Sequence, residues 1–138
     1  IQGVSTTNGA SQVYEHEVGV NQADQNGNAF ASIDAFIESG DFAFVDGGEG
    51  EFLMKIKRFI PDFKVISGNA TVTLKIKDFP SETKASSLLG PFTVNSSTTK
   101  IDTRTRGRLV ALRIENTTTD ENWRFGSFRA DVQPDGRR

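Results

Sequence analysis

His16 is the single histidine of the 138-residue chain, and there is no cysteine. Those two counts remove most nucleophilic and metal chemistry at once. A hydrolase triad needs a histidine base held between a nucleophile and an acid. His16 instead stands between Glu15 and Glu17 in a polar stretch, and no Gly-x-Ser-x-Gly elbow accompanies it. It reads as a solvated surface histidine. Adjacent residues of an extended strand point to opposite faces, so Glu15, His16 and Glu17 cannot converge on a zinc ion. Without thiols there is no disulfide framework, no thiolate nucleophile and no cysteine metal site.

Other groups with chemical potential have plainer readings. The run Asp46-Gly47-Gly48-Glu49-Gly50-Glu51 offers carboxylates on a flexible backbone but lacks the ligand spacing of an EF-hand loop, so an acidic hairpin turn is expected. The acidic residues number 18, yet no spacing singles out a carboxylate pair across a cleft. Trp123, the sole tryptophan, would stack on a sugar if exposed, but its alternation with Phe125 favours a place in the core or between sheets. The arginines at 104, 106, 108, 113, 124 and 129 carry planar donor forks suited to phosphate or carboxylate. With Asp102, Glu115 and Asp131 interleaved, cross-strand ion pairing on a solvated face is the expectation. The sequence therefore predicts no catalytic residue, no cofactor, no metal site and no specific nucleic-acid partner.

Composition agrees with a globular domain: 36% hydrophobic, 25% charged, formal net charge −2 from 16 basic and 18 acidic residues. No apolar run approaches the length of a membrane span. The charge is uneven, with Arg104 to Arg113 and the Arg137-Arg138 ending basic, and Asp34 to Glu51 acidic. The first residue is Ile1 rather than Met, which we read as the mark of a piece of a larger polypeptide.

What must position any site is a set of strands. Residues 1–28 are rich in Gly, Asn, Gln, Ser and Thr and read as a flexible arm or linker; residues 29–138 read as the packed domain. There the period is two. Over Phe52–Lys57 the apolar Phe52, Met54 and Ile56 alternate with positions that include Lys55 and Lys57; Val72, Leu74 and Ile76 alternate with Thr73, Lys75 and Lys77; Val110, Leu112 and Ile114 alternate with Ala111, Arg113 and Glu115. From Trp123 to Val132 the inward set changes parity at Gly126, from Trp123 and Phe125 to Phe128, Ala130 and Val132, which predicts a β-bulge. Weaker strands are expected at Ala35–Ser39, Phe42–Val45, Pro91–Asn95 and Lys100–Thr103. Phe30, Ile33 and Ile37 recur at helical spacing, leaving a short helix over Phe30–Ile37 as an alternative. The predicted fold is all-β, an antiparallel sandwich of jelly-roll or immunoglobulin-like shape with about seven to eight strands.

Four segments carry a family likeness: Phe36-Ile37-Glu38-Ser39-Gly40-Asp41-Phe42 before the Gly-rich turn; Lys57-Arg58-Phe59-Ile60-Pro61-Asp62; Val72-Thr73-Leu74-Lys75-Ile76-Lys77; and Arg106-Gly107-Arg108 through Trp123 to Asp131 with Pro134-Asp135-Gly136-Arg137-Arg138. From about Ala35 onward the chain resembles the tail nozzle, or tail tubular protein B-like, virion proteins of short-tailed bacteriophages. That resemblance implies the carboxyl-terminal portion of a structural protein of the phage tail, assembled in a homo-oligomeric ring against neighbouring tail proteins. A carbohydrate-binding sandwich module, with glycan binding at Trp123, is the alternative, and a hydrolase comes third.

Overall fold

The computed structural model describes residues 2–7, 10–15, 19–23, 28–44 and 50–136. Its elements are antiparallel strands, with no helix among the described residues. β1 (Gln2–Thr7) pairs with β2 (Ala10–Glu15), and β3 (Asn21–Ala23) pairs with β4 (Ala29–Ser32). The segment read as an arm thus contains three strands, and the β3–β4 ladder crosses the boundary placed after residue 28. Asn21 ties this part to the loop ahead of the last strand: its amide donates to Asp120 Oδ1 at 2.7 Å, and its Oδ1 accepts from the Asp120 backbone N–H at 2.7 Å.

Seven strands then build two sheets. β5 (Phe36–Glu38), β10 (Leu109–Glu115), β7 (Ala70–Lys77) and β8 (Ser87–Val94) lie side by side in that order. The second sheet has the order β11 (Asn122–Pro134), β6 (Met54–Ser67), β9 (Ile101–Gly107). One apolar core joins them, as an antiparallel sandwich requires. Val72, Leu74, Ile76, Val110, Leu112 and Ile114 from the first sheet meet Met54, Ile56 and Phe59 from the second, all buried. Phe59 is the rivet. Its ring stacks on Phe128 at 5.5 Å within its own sheet and meets Phe92 of the opposite sheet edge-on at 5.7 Å.

The predicted inward sets of β7 and β10 hold. Ala111, predicted to face solvent, is nonetheless buried. β6 runs ten residues beyond the segment read as Phe52–Lys57; the alternation breaks off there because a bulge changes its parity. Val132 pairs with Ile56 and Asp131 with Arg58, leaving Lys57 as the extra residue. Met54 and Ile56 face inward before it, Phe59 and Phe63 after it. The predicted bulge in β11 is present as well: Phe125 pairs with Phe63 and Ser127 with Asp62, skipping Gly126. A Cβ on Gly126 would lie 2.3 Å from the Asp62 carbonyl oxygen, so the close approach of the two backbones demands glycine here.

The helical alternative for Phe30–Ile37 is replaced by β4, a break and β5. Asn116 holds the break: its Nδ2 donates to Ile33 O at 2.8 Å, its Oδ1 accepts from the Ala35 N–H at 3.2 Å, and its own N–H donates to Ala35 O at 3.1 Å. After β5 the chain continues along β10. Ser39 N–H donates to Leu112 O and Ser39 Oγ accepts from Leu112 N–H, each at 2.9 Å, and Phe42 bridges Val110. Of the expected strand Phe42–Val45, only that bridge forms among the described residues.

Two substitutions check this account. Phe59→Ala removes the ring that spans both sheets and is expected to cost about 3–5 kcal/mol in denaturant unfolding. Gly126→Ala is expected to cost roughly 1–3 kcal/mol through overpacking against Asp62, with the fold retained by circular dichroism.

Candidate functional site

A groove of about 710 Å³ opens on the side of the sandwich where β5 ends one sheet and β11 ends the other. β5 has three residues and β11 thirteen, so the short edge leaves the long one uncovered. Ile33, Phe36, Ile37, Trp123 and Phe125 line it, with Asn116, Glu121, Asn122 and Arg124 as its polar members. The apolar side chains are exposed to an unusual degree: Phe36 60%, Ile37 48%, Ile33 47% and Phe125 38%. Clustered apolar exposure of this kind is found at protein contact sites and ligand-binding grooves, whereas single exposed apolar residues are ordinary. Farther along the same seam, Phe44 stacks on Phe128 at 6.0 Å and meets Phe42 edge-on at 5.0 Å.

Trp123 takes the core-side place expected of it and also borders the groove. Its ring packs edge-on against Phe63 at 6.2 Å and adjoins the core, and it also forms part of the groove wall. The polar members are engaged in holding loops. Asn116 braces the 33–35 break, and Glu121 Oε2 accepts from the N–H groups of Thr117 at 2.8 Å and Thr118 at 3.0 Å. Burial pushes the Glu121 carboxyl up, but hydrogen bonds from Thr118, Thr117 and Asn69 outweigh it and hold the group below its ordinary value. Among the described residues no buried side-chain nitrogen or oxygen lacks a hydrogen-bond partner, and no cluster of three His, Cys, Asp or Glu residues is poised for a metal.

The arginines separate into classes the sequence did not distinguish. Arg113 forms the expected cross-strand pairs, with Nη1 at 2.9 Å from Glu38 and Nη2 at 2.7 Å from Glu115, and its Cζ lies 4.1 Å over the Phe36 ring. Arg106 meets Asp135 at 2.8 Å, and Arg129 approaches Asp62 at 3.9 Å. Arg108 is buried, donating to the backbone oxygens of Gly50 at 3.2 Å and Glu51 at 2.6 Å, so it latches a loop. Arg104 and Arg124 are exposed and form no ion pair with the described residues. His16, Glu17, residues 46–49 of the acidic turn and Arg137-Arg138 lie outside the described residues. The groove itself was missed because Ile33, Phe36 and Ile37 look like core residues in sequence; only the brevity of β5 exposes them.

Neither a scan against models of known protein families nor a search of curated proteins returns a match.

On the outer face of the four-stranded sheet, Glu38 accepts from Lys75 and from Arg113, and these two hydrogen bonds lower its carboxyl below the ordinary 4.5. Since the folded value lies below the unfolded one, the contribution is complete above pH 4.5 and disappears as pH falls through the folded value. The side chain is about a third exposed (32%), so solvent screening keeps the effect small, within about 1 kcal/mol per pair. Glu38→Gln should therefore lower Tm at neutral pH, and its difference from wild type should vanish on acidification, measured by thermal melts across pH.

Proposed function

We propose that the chain is a structural domain of a bacteriophage virion tail, of the tail-nozzle type, which works by contact with neighbouring subunits in a ring and with adjoining tail proteins. In this reading it catalyses no reaction and needs no cofactor. The observation that carries it is the apolar seam beside β5, where Ile33, Phe36, Ile37 and Phe125 remain exposed around a groove while the carboxylates and amides nearby are occupied in loop hydrogen bonds. An aromatic and aliphatic centre with a polar rim is the composition from which protein interfaces are built. The four segments that resemble tail nozzle proteins supply the identity of the partners.

Carbohydrate binding has one observation in its favour, the place of Trp123 and Phe125 on the groove wall beside Asn122 and Arg124. A sugar ring would stack on the indole and hydrogen-bond the polar rim. The two readings differ in what occupies the same groove.

Cryo-electron microscopy of phage particles that contain the protein separates them. Density for this sandwich in a symmetric tail ring, with Phe36 and Ile33 at a subunit contact, is the expected result, and Phe36→Asp should block incorporation while leaving the isolated fold intact. A protein found only as a free monomer outside any particle would overturn the proposal. Saturable binding on a glycan array, abolished in folded Trp123→Ala protein, would give the groove to a sugar.

A further inference from the structure

We infer that the outer face of the three-stranded sheet binds the phosphate backbone of duplex nucleic acid without regard to sequence. This face meets the apolar groove at Arg124, which lines both, but the inference does not rest on the reading given to the groove.

The two outer faces of the sandwich treat charge differently. On the four-stranded sheet the cations Lys75, Lys77 and Arg113 are each paired, with Glu38, Asp41 and Glu115. On the three-stranded sheet five cations have no carboxylate in reach among the described residues: Lys55, Lys57 and Lys64 of β6, Arg104 of β9 and Arg124 of β11. Lys57 is half-buried and the other four are exposed.

The ladder also places like charges opposite each other. Arg124 is the register partner of Lys64, both without a carboxylate, and Arg106, held by Asp135 at 2.8 Å, is that of Lys55. Cations facing across a strand pair destabilise a sheet, and a phosphate between them turns that repulsion into binding. Near one end of β6, Lys55, Lys57, Arg58 and Arg104 surround a depression of about 640 Å³. Its one carboxylate, Asp102, is already held by Lys100 at 3.1 Å, and Arg58 by Asp131 at 3.4 Å. Lys64 and Arg124 mark the other end. Nine residue steps separate Lys55 from Lys64, about 30 Å of strand, or nearly one turn of duplex.

The same face argues against two other ligands. The aromatic side chains of these strands, Phe59, Phe63, Trp123, Phe125 and Phe128, belong to the core or the seam, so the face has no platform for stacking unpaired bases. On its central strand β6 the apolar side chain of this face, Ile60, is half-buried and set opposite Arg129, too little to anchor a protein interface. Charge alone, spread over a strand's length, is the chemistry of backbone contact.

Fluorescence anisotropy with a labelled 20-bp DNA duplex of arbitrary sequence tests this. Binding to wild type should weaken with salt at a log–log slope approaching about −4.5, for five phosphate contacts. The triple variant Lys55→Gln, Lys57→Gln, Arg104→Gln should lose about tenfold or more in affinity and reduce the slope by about 2–3, while Lys84→Gln on a distant loop changes neither. Circular dichroism confirms that the variants fold. No binding at low salt, or binding indifferent to the triple variant, would overturn the inference. Self-association in sedimentation that the triple variant abolishes, without DNA binding, would overturn it too and give the face to a second copy.

Discussion

The β6–β11 ladder is the element on which the rest of the molecule depends. Two long strands pair from Asn122 opposite Ser67 to Pro134 opposite Met54; β6 carries extra residues at Lys57 and Ile66, and β11 one at Gly126. A strand without a bulge keeps one parity, so Phe59 would face solvent if Met54 and Ile56 faced the core. The extra residue at Lys57 returns Phe59 to the interior, and the one at Gly126 does the same for Phe128. The stacked pair Phe59–Phe128 exists because both corrections occur, and Phe92 packs against it from the other sheet. The same corrections turn Lys64 and Arg124 outward, so the bulges assemble the core and the basic face in one step.

How far the sequence revealed this follows from where the alternation is clean. β7 is legible to its ends because Val72, Leu74 and Ile76 face one core and its Thr and Lys residues face outward, without interruption. The Gly126 bulge was legible because apolar residues stand on both sides of the parity change. The Lys57 bulge was not, since Lys57 and Arg58 interrupt the pattern with two charges and Pro61 follows before Phe63 resumes it. The hairpins of β1, β2 and β3 lie in polar, glycine-rich sequence with no apolar stripe to reveal a strand. For Phe30–Ile37 the helical spacing of Phe30, Ile33 and Ile37 was real, but Asn116, more than 80 positions away, takes the backbone groups of residues 33 and 35. No local pattern carries that information.

Charge shows the same limit. A net charge of −2 and interleaved acids suggested that the arginines would be neutralised in place. Pairing depends on register, and register assigns Glu38 and Glu115 to Arg113 while setting Arg124 against Lys64. The acidic surplus elsewhere in the chain cancels the basic face in the sum without touching it in space.

The two surfaces also differ in what keeps them from closing on the wrong partner. β8, the other edge of the four-stranded sheet, carries Pro91, which removes a donor from an edge otherwise open to strand addition. β5 blunts its edge by being only three residues long. β11 has neither device along most of its length; its protection is the bulge at Gly126 and, beyond it, the charges of Arg129 and Asp131. Where that protection is thinnest, at Trp123 and Phe125, the apolar seam begins. An edge guarded by charge along its length and left apolar at one end would confine docking to that end, and under the proposed tail-ring reading this would set one orientation for neighbouring subunits.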